Sequence, residues 1–233
     1  MNNWTAPQRP NTYAEKALIT AILDGTFPPG STLPGERTLA TDLGVTRPTL
    51  REALQRLARD GWLTVRQGKA TVVNDFWQDG GLNVLSVLVH HGDYLPPNFV
   101  TQLLEVRLNL APAYTRAAIE RAPAKVSSLL MQYVQLDDTP ASFAAFDWHL
   151  HRHLTIASGN QIYTLILNGF SDFYEQLARL YFTSSTARDA SRHFYAALAQ
   201  AAADQDADLA EQVSRTAMLK SIESWQQVSP WQK

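Results

Sequence analysis

Several groups of side chains in this sequence are spaced to do chemistry. Arg47 and Arg51 stand four residues apart, so on a helix they leave the same side one turn from each other. A guanidinium is a planar fork of donors that matches O6 and N7 of guanine, which suits this pair to reading bases in a major groove. Arg56 and Arg59 follow, further along, where phosphates or acidic partners are the natural contacts. Arg66, Gln67 and Lys69 crowd one short turn from which sugar and phosphate can be reached. Arg107 lies among Leu103, Leu104 and Leu110 at helical spacing, and a charge beside an apolar stripe has to pair with a carboxylate, reach water or meet a ligand. Asp147 with His151, and His149 with His153, are each four apart, so either pair could offer a metal two ligands from one helix face.

Composition narrows what these groups can serve. The 233 residues include no Cys, which excludes a disulfide framework, a Cys-ligated zinc finger, an iron–sulfur centre and a cysteine nucleophile. No Gly-x-Ser-x-Gly elbow, phosphate-cradling glycine loop or zinc-protease motif is present, so an enzyme is not expected and neither is a cofactor. The N-terminus has no basic start, apolar run and small-residue cleavage site, and apolar stretches such as 84–89 are far shorter than the roughly 18 residues of a membrane span, so the expected setting is cytoplasmic. A net charge of −2 points away from nucleic acid until it is resolved along the chain. Residues 1–75 carry nine basic against seven acidic side chains, a net of +2; residues 76–233 carry eleven against fifteen, a net of −4. A basic head on an acidic body is the asymmetry expected when one part alone meets a polyanion.

The elements that must position these groups follow from periodicity and punctuation. Ala14, Ala17, Leu18, Ala21 and Ile22 repeat at helical spacing up to Asp24-Gly25, and Leu39, Ala40 and Leu43 form a second short helix closed by Gly44. Thr46 can cap a third helix, with Pro48 in its first turn, Leu50, Ala53, Leu54 and Leu57 as its buried stripe and Gly61 as its left-handed stop. Residues 62–66 and 70–73 are β-type runs joined by Gln67-Gly68-Lys69, which is hairpin chemistry. Three helices and a hairpin, the third helix Arg-rich, predict a winged helix-turn-helix over residues 1–75. Residues 76–82 read as a linker. Beyond it the pattern predicts an antiparallel helical bundle over 83–233, with helices near 82–91, 98–121, 123–135, 140–157, 161–182, 187–203 and 206–228. The fold class is therefore mostly α with a small β-hairpin, and the bundle is the natural place for a ligand.

The run Phe27-Pro28-Pro29-Gly30-Ser31-Thr32-Leu33-Pro34-Gly35-Glu36-Arg37, with 43–47 (LGVTR) and 50–57 (LREALQRL), resembles the GntR family of bacterial repressors. The stretch 54–77, together with 81–85, 157–160, 162–163, 165–169 and 181–182, is similar to the acyl-CoA-responsive branch of that family, which governs fatty-acid metabolism. The resemblance implies DNA contacts at Arg37, Thr46, Arg47, Thr49, Arg51 and Gly68, to which the wing adds Gln67 and Lys69. It implies long-chain acyl-CoA as effector, held by Leu104, Arg107, Tyr181, Tyr195, Ser221 and Trp225, although spacing alone reads Tyr174, Tyr181 and Tyr195 as ordinary core aromatics. A homodimer on a palindromic operator, repression of degradation genes and activation of unsaturated fatty-acid synthesis genes are further implications. The chain departs from that branch at Pro48, where a Thr is usual, at Gln67 in place of a wing His, and at Ala217, Met218 and Pro230. The alternative is a GntR-type repressor that senses a metal-bound carboxylate through Asp147 and His151. Its two later metal-ligand positions fall on Tyr195 and Ala217, so no metal is expected.

Overall fold

A computed structural model of the chain describes residues 10–228; Arg9, one of the nine basic side chains of residues 1–75, and Pro230 lie outside the described residues. The chain forms two compact units that meet between Tyr94 and Leu95 in sequence.

The first unit contains α1 (Pro10–Leu23), α2 (Glu36–Asp42), α3 (Arg47–Arg59), β1 (Leu63–Thr64), β2 (Val72–Val73), α4 (Phe76–Asp79) and α5 (Leu82–His90). Helix α3 starts where Thr46, in an extended conformation, accepts the Thr49 amide N–H at 3.3 Å; Pro48 sits in the first turn, where no intrahelical donor is lost. Leu50, Ala53, Leu54 and Leu57 are buried, as are Ala14, Leu18 and Ile22 of α1, which packs on α3. The helix stops at Gly61, which takes φ +89°. A Cβ at that position would stand 2.7 Å from the Asp79 carbonyl oxygen and 2.8 Å from Cα of Gly80, so conformation and space both require glycine.

The hairpin pairs Leu63 with Val73 and Thr64 with Val72, shorter than the runs 62–66 and 70–73 suggested, because the chain from Arg66 to Ala70 is exposed and turns at Gly68. A third stretch of backbone stiffens it. The Leu33 N–H donates to the Thr71 carbonyl and the Val73 N–H to the Ser31 carbonyl, both at 2.9 Å. Asn74 fastens the base by donating to the Gly61 carbonyl at 3.0 Å and accepting the Thr64 hydroxyl at 2.7 Å. The stretch read as a linker is helical at α4, where the Asp75 carboxylate accepts the Trp77 N–H and the Phe76 ring lies 4.7 Å from the Trp62 ring.

The second unit is a helical bundle of α6 (Phe99–Arg121), α7 (Pro123–Leu130), α8 (Pro140–Ala157), α9 (Gln161–Asn168), α10 (Ser171–Tyr181), α11 (Ser185–Ala203) and α12 (Ala207–Val228). Helix α6 packs on α8 and α12, α11 on α7 and α12, and α10 on α8. Phe143, Leu150, Leu154, Phe182, Tyr195 and Leu198 lie in its core. Two expected helices are corrected. The span 123–135 is α only to Leu130 and tightens to a 3₁₀ turn over Met131–Gln135. The span 161–182 breaks between α9 and α10 at Gly169-Phe170, where glycine's poor helix propensity coincides with a tight turn, the Phe170 N–H bonding the Leu167 carbonyl at 2.9 Å. No side chain of α9 is fully buried, and Ile162 and Leu165 are 58% and 63% exposed.

Candidate DNA interface and ligand cavity

In the first unit the side chains expected to meet DNA are exposed on two elements. Arg47 and Arg51 project from the first turns of α3 with side chains 57% and 60% exposed. Neither is loose. Glu36, the first residue of α2, accepts from Arg51 Nε at 2.6 Å and lies 3.8 Å from Arg47 Nη2. Spacing does not announce Glu36 as the partner of both arginines; its one signal is a carboxylate in the first turn of a helix, where the dipole favours it. The Thr46 and Thr49 hydroxyls bond each other at 2.8 Å beside the helix start, and Arg37 is exposed on α2.

At the wing tip, Gly68 takes φ +71° and the Lys69 N–H closes the turn onto the Arg66 carbonyl at 3.1 Å. Gln67, Gly68 and Lys69 share a groove with Arg51, Pro48 and Glu36, so recognition helix and wing face one concavity; Arg37, Thr46, Arg47 and Thr49 stand outside it. Arg56 and Arg59 are engaged within the unit, Arg56 with Glu15 at 3.6 Å and Arg59 with Asp60 at 3.0 Å. With Arg51 held by Glu36 on one side of the groove and Lys69 on the other, the groove can read base edges from the helix and neutralise phosphates from the wing.

The second unit holds a cavity of about 120 Å³, walled by α6, α9, α10 and α12 with Asp147 of α8. Leu103, Leu104, Arg107 and Leu110 all line it, as their shared helical stripe requires. Tyr181, Ser221 and Trp225 line it too, and so do Tyr163, Phe170, Phe173 and Tyr174, which spacing alone did not single out. Tyr195 does not: it is fully buried behind the wall. The Ser221 hydroxyl donates to the Met218 carbonyl at 2.7 Å, leaving its lone pairs free to accept. Met218 and Ala217 line a smaller neighbouring cavity of about 30 Å³ that shares Arg107, Asp147 and Ser221 with the first.

One polar cluster interrupts the apolar wall. Arg107 Nη2 donates to Asp147 Oδ2 at 2.7 Å and to His151 Nε2 at 2.5 Å. Tyr174 donates to Asp147 Oδ2 at 2.5 Å and Tyr195 to Oδ1 at 3.1 Å. An arginine can only donate, so His151 Nε2 accepts and its protonated Nδ1 donates to the Tyr114 oxygen at 2.7 Å. Burial, helped by the Arg107 charge, pushes His151 down to about 3, so the imidazole is neutral. Burial would raise the Asp147 carboxyl, but the Arg107 charge and the hydrogen bonds from Tyr174 and Arg107 hold it below the usual carboxylate range. Burial pushes Tyr114, Tyr174 and Tyr195 up, and all three stay neutral.

The Asp147 and His151 lone pairs are thus taken by protein donors, with the Arg107 guanidinium standing where a cation would. Among the described residues no three metal-ligating side chains cluster. His149 and His153 are exposed with ring centroids 4.1 Å apart, and His153 Nδ1 bonds its own helix at the His149 carbonyl. His90, His91 and His193 do the same four residues back. Among the described residues no helix is long and apolar enough to cross a membrane.

Comparison with known proteins matches residues 11–73 to the bacterial regulatory proteins of the gntR family and residues 74–230 to the FadR C-terminal domain. The fatty acid metabolism regulator protein of Shewanella frigidimarina is 42% identical over 219 residues, covering 94% of this chain and 92% of its own. Its counterpart in a Shewanella baltica strain is 48% identical over 186 residues, covering 80% and 78%. Among solved structures, Lar, which controls the expression of the Listeria monocytogenes agr system, aligns over 98% of this chain and 100% of its own at 16% identity with a TM-score of 0.60, a likeness of fold.

Proposed function

From the premise that this chain belongs to the GntR family of transcriptional regulators and carries a FadR-type C-terminal domain, we propose that it binds operator DNA through its first unit and is released by long-chain acyl-CoA bound in its second. GntR-family proteins are regulators, not enzymes, and relatives named fatty acid metabolism regulator extend along most of this chain. The observation that carries the effector reading is the cavity. Its lining is apolar apart from the Arg107 cluster and a few hydroxyls, which suits a long acyl chain bearing one polar carbonyl.

A homodimer presents two copies of α3 to a palindromic operator, in major grooves about one helical turn apart. Thr46 and Thr49 meet phosphates, Arg37, Arg47 and Arg51 meet base edges and phosphates, and Gln67, Gly68 and Lys69 meet the adjacent groove. Degradation genes are repressed and unsaturated fatty-acid synthesis genes activated. An acyl chain entering the cavity lies against Leu104, Tyr181, Ser221 and Trp225 and competes for the donors of Arg107. Tyr195 acts behind the wall by holding Asp147. The resulting loss of DNA affinity can be no larger than the ligand's differential affinity for the two states of the protein.

The test is a gel shift on promoter fragments of fatty-acid degradation genes, titrated with acyl-CoAs of increasing chain length. Release that sharpens with chain length supports the reading; a shifted band unchanged at saturating oleoyl-CoA overturns the gating step. A thermal melt with zinc and oleoyl-CoA added separately tests the sensor. A melt raised by zinc and indifferent to oleoyl-CoA returns the metal-carboxylate alternative.

A further inference from the structure

The charge balance around Arg107 says which acyl headgroup the cavity accepts. Only Nη2 of Arg107 is engaged by the protein; Nε and Nη1 donate to no group among the described residues, and 22% of the side chain remains accessible. Arg107 is part of the wall of both cavities. The cation, however, is already matched. Asp147 supplies one negative charge at 2.7 Å, while His151 and the three tyrosines around the pair are neutral, so the cluster sums to zero.

We propose that Asp147 is the residue that makes this cavity select neutral acyl heads, a thioester or other carbonyl, over free carboxylates. The inference rests on the acyl-ligand reading above. A thioester oxygen accepts from Arg107 without adding charge. A carboxylate entering the same place becomes a second anion beside a cation that Asp147 already neutralises, and a buried uncompensated charge is costly. Take the negative charge off residue 147 and the preference reverses, because Arg107 is then the unpaired charge and a carboxylate satisfies it bidentately. Asparagine is near in shape: with its amide oxygen in the place of Oδ2 it still accepts from Tyr174 and Arg107, and its amide N–H can donate to the Tyr195 oxygen.

The experiment compares oleate, oleoyl-CoA and oleyl alcohol on the full chain and on Asp147→Asn, by thermal shift and competition binding, with circular dichroism to check folding. The expected result is an oleate to oleoyl-CoA affinity ratio that rises roughly tenfold or more in the variant. An unchanged ratio in a folded variant overturns the inference while leaving the effector reading intact; oleoyl-CoA failing to bind the unmodified chain overturns the effector reading instead.

Should Asp147→Asn not fold, the unmodified chain decides. The groups facing Arg107 are Tyr114 on α6, Asp147 and His151 on α8, Tyr174 and Tyr181 on α10, and Ser221 on α12, with Tyr195 of α11 behind Asp147 and Lys220 at the rim of the smaller cavity. If only the protonated acid is admitted, apparent oleate affinity rises about tenfold for each pH unit of acidification above the ligand's own pKa, while oleyl alcohol stays level. Oleate binding that ignores pH overturns the proposal.

Discussion

Glu36 accepts a hydrogen bond from Arg51 at 2.6 Å, joining the first residue of α2 to the helix that carries the base-reading arginines. An exposed pair of this kind contributes only about 0–1 kcal/mol to stability, so its effect falls on recognition. A carboxylate at the mouth of the groove repels any polyanion, and it keeps Arg47 and Arg51 from spreading onto arbitrary phosphates. Glu36→Gln is expected to fold normally, bind scrambled duplex more tightly and narrow the gap between operator and scrambled DNA. Fluorescence anisotropy on both duplexes across a salt series reads this, and an unchanged affinity for scrambled DNA would make Glu36 a bystander.

Arg47 and Lys69 should fail differently. Arg47→Ala removes a donor fork suited to a base edge, at a cost of about 1–3 kcal/mol confined to the operator. Lys69→Ala removes a phosphate contact from the wing tip, weakens all sequences alike and lowers the salt slope by about one. Slopes and specificity ratios from the same anisotropy series separate the two.

Gly61 is expected to tolerate no side chain. A left-handed residue costs an L-amino acid about 1–2 kcal/mol, and the 2.7 Å approach to the Asp79 carbonyl adds a steric penalty. Gly61→Ala should therefore lower the melting temperature of the first unit by several degrees and leave ligand binding to the second unchanged. A melt equal to that of the unmodified chain would refute this.

Acid should weaken the second unit well before ordinary carboxylates titrate. His151 is held near 3 by burial, whereas in the unfolded chain it titrates near 6.5. Between those values the unfolded state binds the extra proton, so stability falls as pH falls, by at most about 1.4 kcal/mol per pH unit. Asp147 adds its own loss lower down: its folded pKa is depressed, so its contribution is present above about 3.9 and disappears as pH drops through the folded value. Urea midpoints from pH 7.5 to 4.5 should decline, and His151→Gln should flatten that decline. A variant with the same slope would place the titrating group elsewhere.

The parts that sequence made legible are those in which spacing and geometry are the same statement. Thr46, Pro48 and Gly61 delimit α3 because capping, ring closure and positive φ are local properties, and Arg107 faces the cavity because Leu103, Leu104 and Leu110 set its side of α6. What stayed hidden is pairing across the fold. Glu36 reaches Arg51 over fifteen residues and Arg107 reaches Asp147 over forty, and no periodicity connects residues so far apart. Spacing reads Tyr174 as plain core, whereas it lines the cavity and bonds Asp147; Tyr195, a ligand position by family likeness, is buried and bonds the cavity-lining Asp147. The break at Gly169 leaves no trace in periodicity, because apolar residues on both sides keep helical rhythm through a glycine.

That break has a kinetic side. Helix α9 is eight residues long, buries none of its side chains fully and still supplies Tyr163, Ile166 and Leu167 to the cavity wall. Little apolar surface is lost when such a segment lifts away, so its local opening free energy sits at the low end for this unit. Amide hydrogens of α9 should exchange earliest among the bundle helices, and the residence time of an occupant should follow the opening rate of these two turns more closely than the strength of any contact deeper inside.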